Sequence, residues 1–160
     1  MAARADVAPV KAWLNSYRQE EREIENQIER IETMQMRLES VSSPVLRDMP
    51  KTPSPEQDKL ASLIAKKIDL EREVKDLIDQ HAARRRQIDR VLSSLEQADA
   101  RAVIRMRYLD CAEWDDVAFM LFGGRVDFLE RRSSYIRRTH RIHSGALSDL
   151  ALLDVTVHTL

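Results

Sequence analysis

Residues 101–150 read RAVIRMRYLD CAEWDDVAFM LFGGRVDFLE RRSSYIRRTH RIHSGALSDL. The spacing predicts three helices. The first ends near Tyr108 and Leu109, and residues 110–113 break it. The second opens at Trp114 and places Trp114, Val117, Ala118, Leu121 and Phe122 on one face, the spacing of a buried helical stripe. Gly123 and Gly124 end it. The third runs from about Ser133 or Ser134 to Leu150, with apolar positions at Ile136, Ile142, Ala146, Leu147 and Leu150 and a basic face of Arg137, Arg138 and Arg141. A short helix packed under an arginine-faced helix is how a helix-turn-helix meets a duplex. Here GGRVDFLERRSS lengthens the connection, and it is expected to form its own helical turn with Val126, Phe128 and Leu129 covering the core.

Outward from this stretch the chain is highly charged. Of its 160 residues 33% are charged and 5% aromatic, and only three are glycine, a composition that suits long helices better than sheet. The formal net charge is −1, so the whole chain is no polycation. The charge is unevenly placed. Residues 18–39 hold four arginines against seven glutamates, whereas residues 131–143 hold five arginines, two histidines and no acid. A basic segment on a near-neutral chain is a local electrostatic footprint of the kind nucleic acid requires. Cys111 is the only cysteine, which excludes an internal disulfide and fits a reducing cytoplasm. The N-terminus lacks the apolar core of a signal peptide, and no run approaches membrane-spanning length. A cytoplasmic protein without membrane contact is the expectation.

Toward the N-terminus, Val10, Tyr17, Ile24, Ile31 and Leu38 recur every seventh residue, with Leu14 and Ile28 on the alternate seam. Such a pattern predicts a helix of roughly 30 to 35 residues, about 50 Å long. SPVLRDMPKTPSP, with four of the five prolines, ends it. Ser54, Pro55 and Gln57 then signal a capped helix start. Leu60, Val74, Ile88 and Leu95 form one seam, and Leu63, Leu70, Leu77 and Val91 the other, widened by Ile64, Ile78 and Leu92. Lys67, His81 and Arg84 interrupt these seams, and Glu71 can pair with Lys75. Two such helices around a short loop fold back as an antiparallel hairpin, or pair between chains. A bare hairpin buries little surface, so a homodimer through the long helices is expected. The expected fold is all-α: a coiled-coil hairpin over residues 1–95 with a loop at 43–55, a helix-turn-helix module over 96–153 and a tail over 154–160.

Two motifs carry a family resemblance. The first is Arg101, Val103, Ile104, Arg107, Tyr108 and Leu109 followed by Trp114, Asp115, Asp116, Val117 and Ala118; the second is Arg141, Ile142, His143, Ala146 and Leu147. Together with the heptad segment before them, they resemble the RinA- and ArpU-like late transcription regulators of bacteriophages and prophages, whose C-terminal end is similar to region four of sigma factors. The resemblance covers most of the chain. It implies a DNA-binding regulator acting at promoters with host RNA polymerase. This chain departs from the pattern at Cys111, where the family often has glycine, at Glu113, where it often has a serine or threonine cap, and in the lengthened turn.

The candidate contacts to double-stranded DNA are Arg131, Arg132, Ser134, Arg137, Arg138, His140 and Arg141. Arginine chelates guanine edges and clamps phosphates. Arg137 or Arg138, in the N-terminal turns, is the expected base reader, and Arg141 the expected phosphate contact. His140 and His143 with Cys111 make an incomplete metal set. His143 is expected against the core, His140 toward solvent or phosphate, and Trp13 and Trp114 as packing anchors. Arg84, Arg85 and Arg86 read as a solvated helix face, with contact to DNA or polymerase as the other reading. No nucleophile–base pair, carboxylate pair or metal signature stands out, so neither an enzyme nor a cofactor is expected. Two other readings join a coiled segment to such a module: a structural adaptor, and a phage DNA-packaging recognition subunit.

Overall fold

The computed structural model describes residues 6–41 and 55–153. The proline loop, the Ser54 cap and the tail over 154–160 lie outside the described residues. Among the described residues the chain is helical, without strands. Its helices are α1 (Ala8–Val41), α2 (Pro55–Leu92), α3 (Ala98–Ile104), α4 (Trp114–Phe122) and α5 (Arg132–Leu152). Pro55 stands at the first position of α2, where its missing N–H and fixed φ cost nothing. A π-helical turn, Arg105–Leu109, follows α3 directly. Cys111 then takes a left-handed backbone, φ 53°, and the Ala112 N–H donates to the Met106 carbonyl at 2.9 Å. The left-handed residue turns the chain out of the helix and starts the path to α4.

The long helices pack against each other, and the described residues fall into two compact units. The first comprises the described parts of Met1–Gln19 and Ala83–Leu160. Its core joins Val10, Leu14 and Tyr17 of α1, Ile88 and Leu92 of α2, Ile104, Tyr108 and Leu109, and Leu147 and Leu150 of α5. Trp13 belongs to this core, as its sequence context predicts. Arg84 donates to the Ser16 hydroxyl, and Arg85 donates to the Leu109 carbonyl and the Asp110 carboxylate. These two arginines are therefore structural, which corrects the reading of Arg84–Arg86 as a solvated face; only Arg86 is exposed.

The second unit is Glu20–Ala82. Ile24, Leu70 and Val74 are its buried apolar residues. Its seam is thinner than the heptads suggest: Ile28, Ile64, Leu77 and Ile78 are exposed. Glu71 pairs with Lys67 at 2.6 Å, one turn earlier than the predicted Lys75. His81 faces Glu20 at 3.5 Å across the two helices.

Candidate nucleic-acid interface

The sequence of α4 explains its limits. Asp115 and Asp116 lie in its first turn, where the helix dipole favours acids. Val117, Ala118 and Phe122 are buried, one helical face apart. At its end the Gly123 N–H donates to the Phe119 carbonyl at 2.7 Å. A Cβ on Gly123 would stand 2.5 Å from that carbonyl oxygen, so only glycine closes the helix this tightly. Glu113 occupies the N-cap without a side-chain cap hydrogen bond. It meets Arg107 instead, at 3.4 Å.

Residues 123–131 form linked turns, as expected of the lengthened connection. Arg125 donates to the Phe122 carbonyl, Phe128 to Arg125 and Arg131 to Asp127. Of the three residues expected to cover the core, Phe128 does so, 5% exposed, in ring contact with Phe119 and Tyr135. Val126 and Leu129 do not; both are exposed. Successive turns of this tightness point neighbouring side chains in different directions, and one of three can reach inward.

Helix α5 begins at Arg132 and buries Thr139, His143, Ala146, Leu147 and Leu150. By the helical repeat, Arg137, Arg138 and Arg141 lie on the opposite face, and all three are exposed. Arg138 rests over the Phe122 ring at 5.0 Å, a cation–π contact that orients its guanidinium. Arg131, Ser134, Tyr135, Arg138, Arg141 and Ile142 surround a hollow of about 440 Å³. Four of the seven predicted contact residues thus share one concavity. Arg137 lies outside it on the exposed face, and His140 packs against Trp114 at 4.2 Å between ring centres.

Trp114 is a hub, as predicted for an anchor. Arg107 lies 4.8 Å from its ring centre on one side, and His143 meets it edge-on at 4.9 Å. The Tyr108 hydroxyl and His143 Nε2 form a buried hydrogen bond of 3.0 Å. Burial, with the positive charges of Lys11 and Arg107 and neighbouring His140, pushes His143 down to about 4. His143 is therefore neutral at physiological pH and serves packing.

The sequence reading missed the acids around the arginines. No acid lies within residues 131–143, yet Arg131 meets Asp127 at 3.3 Å and Arg132 meets Asp115 at 2.7 Å. The first pair was visible as an i, i+4 spacing. The second depends on how α4 crosses α5. Tyr135 also donates to Asp127, at 2.7 Å, and this hydrogen bond holds the carboxyl below its usual range.

The described residues are thus all-helical, with exposed arginines on the last helix and a short helix before it. The family described as "Protein of unknown function (DUF1492)" matches residues 52–138, more than half of the chain, and the chain belongs to it. The match runs from the approach to α2 through Arg138, taking in four of the five arginines. No curated protein and no solved structure matches the chain. No helix among the described residues is long and apolar enough to cross a membrane.

Proposed function

We propose that this chain is a DNA-binding transcription regulator of phage or prophage genes, acting at promoters with host RNA polymerase. The observation that carries the reading is the outer face of α5. Arg137, Arg138 and Arg141 are exposed on the side opposite the buried residues, and among the described residues none of them has an acid within ion-pair reach. Base edges and phosphates are the acceptors that such a face fits. The resemblance of residues 101–118 and 141–147 to the late regulators supplies the promoter and polymerase. The family match is consistent with a phage-type origin.

The test is binding to a promoter-region duplex by the triple alanine variant at Arg137, Arg138 and Arg141, at two salt concentrations. A base-reading arginine should cost about 1 to 3 kcal/mol and relax preference at one position. A phosphate-touching one should weaken all sequences alike and lower the salt slope by about one. A folded triple variant that binds like the parent rejects this reading.

Self-association through the long helices belongs to the same proposal. Exposed Ile28, Ile64, Ile68, Leu77 and Ile78 in the second unit support it. Light scattering at tens of micromolar should return a dimer mass, and a monomer mass refutes it. A second reading, a protein-binding adaptor, is favoured by exposed Phe119, Met120, Val126 and Leu129. A packaging subunit would share the DNA chemistry. A footprint on the source genome separates promoter from packaging site, and the adaptor gives none.

A further inference from the structure

The arginines at the start of α5 divide into two electrostatic sets. Arg137, Arg138 and Arg141 face outward without an acid partner among the described residues. Arg132 Nη2 instead lies 2.7 Å from Asp115 Oδ2, with the two side chains 56% and 53% exposed. Arg131 meets Asp127, which Tyr135 also holds. Opposite charges this close attract each other, and at this exposure water and salt screen part of that attraction. Asp115 is further favoured as a carboxylate by its place in the first turn of α4. A phosphate approaching Arg141 displaces water and counter-ions. A phosphate approaching Arg132 must also displace a carboxylate.

We propose that Asp115 withholds Arg132 from nucleic acid and thereby sets the affinity of the α5 face, leaving Arg137, Arg138 and Arg141 as its working contacts. The inference rests on the DNA-binding reading above. The same acids close a second route. The amide end of a helix is an anion site, but here Glu113, Asp115 and Asp116 crowd the start of α4 and repel phosphate. The start of α4 therefore disfavours phosphate, whereas the outer face of α5 presents exposed arginines to it. Releasing Arg132 adds one contact to that helix.

Asp116 provides the control. It is the adjacent acid on the same turn, exposed and without an ion pair among the described residues. Removing its charge changes the general field as much as removing that of Asp115 does, but frees no arginine.

The experiment titrates the full chain with a promoter-region duplex across a salt series. Asp115→Asn is expected to tighten binding by about threefold to tenfold and to steepen the salt slope by about 0.9, the signature of one added phosphate contact. The gain is expected to vanish when Arg132 is also alanine. Asp116→Asn is expected to gain about twofold at most, equally with or without Arg132. Asp115→Glu keeps the charge and should restore parental behaviour. Circular dichroism of each variant confirms the fold. A gain for Asp115→Asn no larger than that for Asp116→Asn, or one that persists without Arg132, overturns the inference. Weaker binding by folded Asp115→Asn also overturns it, because Asp115 would then be steadying Arg132 for contact. A parent chain that binds no duplex at low salt is a different result, and it removes the DNA reading itself.

Discussion

The two compact units share α1 and α2 yet differ in what those helices bury. In the first unit, Leu14, Ile88, Leu92, Ile104 and Leu150 are 0% exposed, because α3 and α5 close over the hairpin. In the second unit the two helices have only each other among the described residues. Leu70 and Val74 are covered, while Leu77 and Ile78, one turn on, are 37% and 43% exposed. The heptad pattern continues through both. Periodicity states which face a helix turns inward; a third element decides whether that face leaves water. The first unit encloses its helices in a shared core, and the second leaves part of its apolar seam in water.

The largest test of this contrast is truncation. Leu92→Ala or Ile104→Ala should cost about 2 to 5 kcal/mol in urea unfolding, since each removes a fully buried side chain from a packed core. Ile78→Ala should cost less, about 1 kcal/mol, because 43% of its surface is already in water. Equal costs would break the comparison and mean that a second copy covers the seam. In that case the Ile78→Ala cost should depend on protein concentration.

The next test addresses how tightly the first unit is built at α4. Gly123→Ala should destabilise by up to about 3 kcal/mol, since its Cβ meets a backbone oxygen that cannot step aside. Gly124→Ala meets open space and should stay within about 0.5 kcal/mol. Thermal melts of the two neighbours decide it, and equal shifts would mean the turn is looser than it stands.

A third test uses pH. His143 is held neutral by burial, with a folded value of about 4 against 6.5 for the free side chain. Its contribution is complete above 6.5. As pH falls below 6.5 the unfolded chain takes up a proton that the folded chain refuses, so stability drops until about pH 4. The loss should be roughly 2 to 3 kcal/mol, the order that a shift of this size implies. His143→Gln should flatten that part of the curve in chemical denaturation. An unchanged slope would locate the acid sensitivity elsewhere.

Much of this was legible in the sequence, and the limits are physical. The ends of α4 were readable because Trp114 opens the periodic run and the glycine pair closes it. Pro55 marked the start of α2 for its own backbone reason. The burial of Leu70 and Val74 followed from spacing, but the exposure of Leu77 did not, since spacing cannot see a missing neighbour. At the candidate site, the arginine face of α5 was legible from its repeat. The pairing of Arg132 with Asp115 was not, because it joins residues on different helices. Arg84 and Arg85 misled for the same reason: a run of three arginines reads as solvated until the Ser16 and Leu109 that accept from them are placed beside it.

The smallest effect concerns Cys111, a side-chain-bearing residue in the turn after Leu109. Its φ of 53° lies in the left-handed region, which costs a side-chain-bearing residue roughly 1 to 2 kcal/mol. Glycine escapes that cost but brings a more flexible unfolded chain, worth about 0.5 to 1 kcal/mol against it. The two terms nearly balance, so Cys111→Gly alone should move stability by less than about 1 kcal/mol. The informative comparison is Cys111→Gly against Cys111→Ala. Both lose the thiol, and alanine keeps the strained backbone. At an ordinary helical or extended position glycine is the less stable of the two. Here it should be the more stable, by about 0.5 kcal/mol, and that inversion of sign is the measurement that matters. If alanine proves the more stable, the turn after Leu109 relaxes without a left-handed residue, and the first unit is less rigid at the approach to α4 than its buried core implies.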